Sequence, residues 1–357
     1  MRTLHRLPAH PLLKALLLAS LLVLPFASMA AATGSAFFER DAFMACDNTG
    51  TCRLAAFGPS APLMLSILFE RAGGPQTAVT GRLSMAEDLD ASARSPATAA
   101  PEGSVRLRVD GKDLGAIGHM EAPDLGLELP ARHVMALIEA LAHGRQIEMH
   151  DAAGHAWPLS GLGARTLLLK MDQVQGRAQT PGALMSKGSR SESSVPAAAA
   201  APPLDAPPLR LETREEDARL GERADLLQLL QPVAAARQDC ARESSRRLGI
   251  ERVDARHVLA QLSCTRDRYN VPAGTWLIRD RPPYSPTLIT RALLSPLDPH
   301  AVFVEEGVAT GKEACGTTRH WVWDGTRLNL GAEYIGPDCL TPGQRHWQLP
   351  TYVTEIR

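Results

Sequence analysis

The chain has 357 residues, with 38 Lys and Arg against 39 Asp and Glu and a formal net charge of −1. Nothing in that balance resembles the basic stripe a nucleic-acid binder needs, and the length suits two domains better than one. Beyond the N-terminal leader, every hydrophobic run is too short to cross a bilayer.

The leader comes first. MRTLHRLPAHPLLKALLLASLLVLPFASMAAATG carries Arg2, Arg6 and Lys14, then an apolar run from Ala15 to Phe26, then the small residues Ser28, Ala30, Ala31 and Ala32. A basic head, a short apolar stretch and a small-residue exit make a secretory signal, and the apolar stretch is too short to span a membrane. Residues 1–30 are therefore expected as a signal peptide, with cleavage after Ala30 or Ala32 and a periplasmic or secreted mature protein. Its removal takes away three basic residues and no acidic one, moving the net charge from −1 to −4. No cysteine sits near the cleavage site, so no lipid anchor is expected.

The first domain is expected over residues 34–187. Its opening, ACDNTGTCRLA, sets Cys46 and Cys52 around a core of turn-forming residues. All six cysteines, Cys46, Cys52, Cys240, Cys264, Cys315 and Cys339, lie after the leader, and an even number in an exported chain points to disulfides. Pairing nearest neighbours keeps each bond inside one domain and gives Cys46–Cys52, Cys240–Cys264 and Cys315–Cys339. The spacings lack the paired C-x-x-C knuckles of a zinc site and the C-x-x-C of a redox pair, so neither metal nor cofactor is expected.

CRLAAFG and LMLSILFERAGG then read as strands ended by turn residues. ASARSPATAAPEG (91–103) reads as a long surface loop. In SVRLRVDGKDLGAI, Val105, Leu107 and Val109 alternate with Arg106 and Arg108, and Asp110-Gly111 supplies a tight hairpin turn. After Pro130 the period changes: Val134, Leu137, Ile138 and Leu141 form one face of a helix ending at Gly144. RQIEMHD is a strand. Ser160 is expected to N-cap a second helix with Ala164, Leu167, Leu168 and Met171 inward and Gly176 past its end.

Residues 188–208, GSRSESSVPAAAAAPPLDAPP, hold almost no large apolar side chains, a composition that reads as a disordered Ala/Pro/Ser linker. The second domain, 209–357, opens with helix-like sequence (LETREEDARLGERADLLQLLQPVAAARQDCARES) that Pro232 is expected to break or kink. HVLAQLSC, GTWLIRD, PTLITRALL and AVFVEEGVA follow as strands, and HWVWDGTRLNL as a hairpin turning at Asp324-Gly325. The fold class is α+β: two domains, each an antiparallel β-rich sheet packed with a few helices.

CDNTGTCRLAAFG, LLLKMDQVQGR followed by TPGALMSKG, LSCTRDRYN, and ACGTTRHWVWDGTRLNL with DCL and HWQLP after it occur in this order. Together they resemble the DUF1176 family of exported bacterial proteins, whose first half looks similar to the invasion-associated locus B family. The resemblance spans the mature chain apart from the linker. It departs at Asp267-Arg268, before Tyr269-Asn270, where the family pattern has a small residue and Ala, and at ATGKEACG, which replaces a glycine-rich step. The family brings a location and an architecture but no activity.

His143, His150 and His155 cluster in sequence, but their spacing matches no ligand template, and they read as surface or strand-end histidines. SGLG at 160–163 lacks the G-x-S-x-G of a nucleophile elbow. Trp321, Trp323 and Trp347 are three of five tryptophans. Trp321 and Trp323 fall on one face of a strand, either as the core of a small sheet or as an open binding face. With Tyr269 and Asn270 they are the candidate binding residues. The function expected is a non-enzymatic, disulfide-braced binding or envelope-associated protein whose partner is a protein or cell-envelope component. The alternative is an extracytoplasmic hydrolase.

Overall fold

The structure is a computed structural model. It describes residues 34–59, 61–87, 100–120, 125–207, 214–235, 246–266, 269–297, 302–306, 316–336 and 347–357. The expected signal peptide, Cys240, Cys315, Cys339, Asp267, Arg268 and most of the 91–103 loop lie outside them. The chain is strand-rich, with antiparallel sheets and, among the described residues, four α-helices. Residues Thr33–Arg357 form one compact unit.

The first half begins with β1 (Ser35–Glu39), β2 (Ala42–Cys46), β3 (Cys52–Phe57), β4 (Leu63–Arg71) and β5 (Val79–Glu87), an antiparallel meander. A second sheet contains β6 (Ser104–Val109) and β7 (Lys112–His119); β8 (Gly126–Glu128) returns to the edge of the first sheet beside β5. Asp110 and Gly111 both take positive φ (49° and 74°), making the tight β6–β7 turn that the Asp-Gly pair predicts. Helix α1 (Ala131–Ala142) buries Val134, Leu137, Ile138 and Leu141, the face its periodicity requires. Strands β9 (Ile147–His150) and β10 (Ala156–Leu159) extend the second sheet to the order β10-β9-β6-β7.

Helix α2 (Ala164–Val174) buries Ala164, Leu167, Leu168 and Met171 as expected, but Ser160 does not cap it. The N-cap is Gly163, in the left-handed region at φ 87°. A Cβ there would lie 2.1 Å from the Glu39 carbonyl oxygen, so the close approach of α2 to β1 selects glycine. Ser160 instead donates to Asp41 Oδ2 at 2.5 Å and accepts from Leu162 N.

Strand periodicity explains why β4 is apolar on both faces. Leu63, Leu65, Ile67 and Phe69 point into the core beneath the two helices, together with Met44, Leu54 and Leu107. Met64 faces the other way, with Phe43, Ala45, Ala55 and Phe57, and there meets Leu349, Ile335 and Trp347 from the C-terminal part of the chain. The first sheet is thus covered on both sides, and Trp347 Nε1 donates to Ser66 Oγ of β4 at 2.8 Å.

Residues 188–207 are not the disordered linker their composition suggests. A short 3-10 turn spans Glu192–Ser194, Ala199 N donates to Thr49 O at 3.2 Å, and β11 (Pro203–Leu204) pairs in parallel with β21 (Glu355–Ile356). Such a segment cannot build a core of its own, but it can be tied by its backbone to a surface that already exists.

The second half opens with α3 (Glu215–Gly221) and α4 (Ala224–Ala235). The helical stretch breaks between Gly221 and Ala224, while Pro232, the expected breaker, lies inside α4. Strands β12 (Arg246–Arg252), β13 (His257–Arg266), β14 (Tyr269–Arg279) and β15 (Thr287–Thr290) form an antiparallel sheet in that order. One face meets the helices through Leu220, Leu226, Leu230, Val258, Leu262 and Trp276. The other meets a five-stranded sheet through Leu259, Leu277, Phe303 and Trp323. That sheet is β16 (Leu294–Leu297), β17 (Val302–Glu306), β18 (Thr317–Trp323), β19 (Leu328–Ile335) and β20 (Leu349–Val353).

Candidate functional site

The clasp is a disulfide between Cys46 and Cys52, which face each other in register on β2 and β3. Cys264 is also disulfide-bonded, to a partner outside the described residues. Asp47 shapes the loop between Cys46 and Cys52: Oδ1 accepts from Thr49 N at 2.8 Å and Thr49 Oγ at 2.5 Å, and Oδ2 pairs with Arg53 at 2.8 Å. The loop then docks three other segments. Asn48 exchanges two hydrogen bonds with the Val353 backbone (3.0 and 2.7 Å), Thr49 O accepts from Ala199 N, and Gly50 O accepts from Gln175 Nε2 at 3.0 Å.

Beside the loop, the motif after α2 forms a buried polar knot. Arg177 is 0 % exposed. Its guanidinium donates to Gly74 O, Thr77 Oγ and Gln175 Oε1 and faces Glu192 at 3.5 Å. Arg71 donates to Thr77 O at 3.1 Å from the opposite side. Burial, then the neighbouring Arg177, push the Arg71 pKa down to about 10. Asp172 accepts the backbone N–H groups of Leu184 and Met185 at 2.9 and 2.8 Å, which fixes the TPGALMSKG turn. These groups bond mainly to one another, with Arg71 Nη1 and Arg177 Nη1 buried without a hydrogen-bond partner, and the knot is structural.

The histidines expected to be ordinary do not converge. His143 bonds Glu139 O, His150 bonds Glu148, and His155 bonds Asp151. Among the described residues no three His, Cys, Asp or Glu side chains are grouped to hold a metal ion. Trp323 is 1 % exposed and packs in the inter-sheet core, with Trp321 half-buried against it. Trp321 Nε1 donates to Glu305 Oε2 at 2.7 Å, and Arg319 bridges Glu305 and Glu333. The pair therefore takes the core role, not that of an open face. Tyr269 and Asn270 pair with Arg266 and Thr265 across the β13–β14 hairpin; their side chains lie outside what the structure describes.

An arrangement that can act on another molecule lies at the opposite end of that hairpin, and sequence reasoning missed it. The turn before β13 and the turn after β14 enclose an open cleft of about 420 Å³ lined by Ala255, Arg256, His257, Arg279, Asp280, Arg281 and Pro282. Asp280 N donates to Arg256 O at 2.9 Å, joining the turns, and Tyr284 O accepts from Arg279 N at 2.7 Å. Asp254 Oδ1 accepts the backbone N–H groups of Arg256 and His257, both at 2.7 Å. Burial pushes the Asp254 carboxyl up, but these donors and the His257 ring outweigh it and hold the pKa below its ordinary value.

Behind the cleft, Arg252 is buried and paired with Asp217 through a forked contact and with Asp280 at 3.2 Å. Its hydrogen bond to the Asp217 carboxylate raises the Arg252 pKa and lowers that of Asp217. Asp280, the one carboxylate lining the cleft, is thereby drawn back onto Arg252. No carboxylate among the described residues pairs with Arg256, Arg279 or Arg281, and all three are exposed. A rim of unpaired guanidinium forks carried on backbone-clamped turns is equipped to bind oxyanions.

The family model described as "Protein of unknown function (DUF1176)" matches residues 36–354, and the chain belongs to that family. The likeness of the first half to the invasion-associated locus B family is outside what this match shows. No curated protein and no solved structure matches the chain. Among the described residues no helix is long and apolar enough to cross a membrane.

Proposed function

We propose that the chain is exported through its N-terminal leader, closed by disulfides after export, and works in the periplasm or outside the cell as a non-enzymatic binding protein of the envelope. The cationic cleft is its binding site. The observation that carries this reading is the charge arrangement there: three guanidinium groups on two clamped turns, with the one lining carboxylate committed to buried Arg252. Such a site provides attraction and orientation. The leader's composition and the buried Cys46–Cys52 bond support export. Pairing Cys240 with Cys264, and Cys315 with Cys339, belongs to the same proposal.

The hydrolase alternative draws on one feature, the Asp254–His257 pair at the cleft edge (Nδ1 to Oδ2, 2.9 Å), which leaves His257 Nε2 as a candidate base. No serine, threonine or cysteine is among the described residues lining the cleft, so binding is the stronger reading. Export is tested by expressing the full-length gene, fractionating the cells and weighing the intact protein. A periplasmic or secreted species starting at Ala31 or Thr33, inert to iodoacetamide until reduced and then taking six labels, is expected. A full-length cytoplasmic chain with reactive thiols would overturn the proposal.

A further inference from the structure

We propose that the cleft recognises a phosphate group carried on a larger molecule, a phosphomonoester or a pyrophosphate. This deepens the proposed binding role and rests on the cleft being the binding site. Charge comes first. Arg256, Arg279 and Arg281 bring three cations to the rim, and Asp280 is held at 3.2 Å by Arg252, whose one positive charge it shares with Asp217, so the three rim cations still outweigh the one carboxylate charge left over. A monocarboxylate would satisfy one fork and leave two cations facing each other. A phosphomonoester dianion or a pyrophosphate offers three or more acceptor oxygens and at least about 1.5 negative charges near neutral pH. The planar Arg fork matches that geometry as Lys does not.

Shape and rigidity point the same way. About 420 Å³ is more than a bare phosphate fills and falls in the range of small-molecule sites. Ala255 and Pro282 give the cleft a small apolar wall on which the ligand's body can rest. The guanidinium groups stand on turns closed by backbone hydrogen bonds, Asp280 N to Arg256 O and Tyr284 N to Arg281 O (2.9 and 3.0 Å). The backbone ordering cost is therefore met by folding rather than at binding. The patch stands out from a chain of net charge −1, so it steers anions toward one place.

The test uses the purified, oxidised mature protein and calorimetric titration. The soluble arm titrates pyrophosphate, a hexose 6-phosphate, sulfate, acetate and a glutamate-rich peptide. The membrane arm uses vesicles of phosphatidylcholine alone or with phosphatidic acid, which presents a phosphomonoester headgroup. Pyrophosphate or the hexose phosphate is expected to bind better than acetate. R279Q/R281Q and R256Q are each expected to weaken that binding about tenfold or more while leaving the melting temperature within a degree or two. R106Q, a surface arginine on β6, is the control and is expected to change nothing. Binding of the hexose phosphate alone assigns a soluble ligand; added capture by phosphatidic acid vesicles assigns a lipid headgroup. If acetate or the acidic peptide binds and loses affinity in the arginine variants while phosphates do not, the phosphate assignment falls and the binding site stands. If no anion binds, or binding is indifferent to all three arginines, both fall.

Discussion

Replacing Arg177 with methionine tests whether the buried knot after α2 holds the first half of the molecule together. The wild-type guanidinium is fully buried and donates to Gly74 O, Thr77 Oγ and Gln175 Oε1, with Glu192 at 3.5 Å. Methionine fills most of the volume but leaves three acceptors without their donor and a carboxylate without its counter-ion. Breaking one side of a buried ion pair typically costs about 3–5 kcal/mol. Part is returned, because Arg71 is relieved of a like charge that, after burial, is the main cause of its pKa of about 10. A net loss of about 3 kcal/mol follows. Urea denaturation followed by tryptophan fluorescence measures it as a lower midpoint at unchanged slope. Arg177→Lys keeps the charge but loses the fork and should fall between the two. A methionine variant within about 0.5 kcal/mol of wild type would refute the assignment of a structural role to this knot.

Three further outcomes are expected. Asn48→Ala removes both hydrogen bonds to the Val353 backbone and should cost about 2 kcal/mol, with the Val353 amide exchanging faster; unchanged protection there would sink the idea that the clasp loop anchors the C-terminal strand. Cys46→Ser/Cys52→Ser opens the small loop and should cost about 2 kcal/mol by chain entropy, and reduction of the wild type should cost more, since it also opens the bond of Cys264. Burial works against ionisation of Asp324, but its hydrogen bonds from Thr326, Arg327 and Asn329 outweigh it and lower its pKa from 3.8 to about 2. That stabilisation is complete above pH 3.8 and lost as the pH falls through about 2. Asp324→Asn should thus be less stable than wild type at pH 6 and level with it near pH 2, and a gap independent of pH would contradict the assignment.

Where structure follows from spacing of side chains along one element, the sequence was readable. The face of α1 and the Asp110-Gly111 turn depend only on residues next to one another in the chain. What failed depended on distant partners. Ser160 has the chemistry of a cap, yet Asp41 takes its hydroxyl. Residues 188–207 lack the means to fold alone, yet the clasp loop and the C-terminal strand β21 hold them. Asp324-Gly325 did mark a hairpin, but the loop runs from Asp324 to Arg327, with Asp324 N bonded to Arg327 O at 3.1 Å. Trp321 and Trp323 alternate as a binding face would, and nothing local reveals that a second sheet covers them.

The cleft was illegible for a related reason. Arginines at 256, 279 and 281 are ordinary surface residues until one knows which carboxylates do not reach them, and that depends on Arg252 drawing Asp280 away. The stretches that carry the family resemblance lie elsewhere. CDNTGTCR is the clasp with its docking contacts, and MDQVQGR with TPGALMSKG is the knot around Asp172, Gln175 and Arg177. In this chain both stretches are used mainly in internal hydrogen bonds that hold distant segments together. The cleft arginines lie outside those stretches, and all three are exposed. Acidic residues in place of Arg256, Arg279 and Arg281 should therefore leave this fold standing and abolish the proposed phosphate binding, a result read by the melting temperature and the titration together.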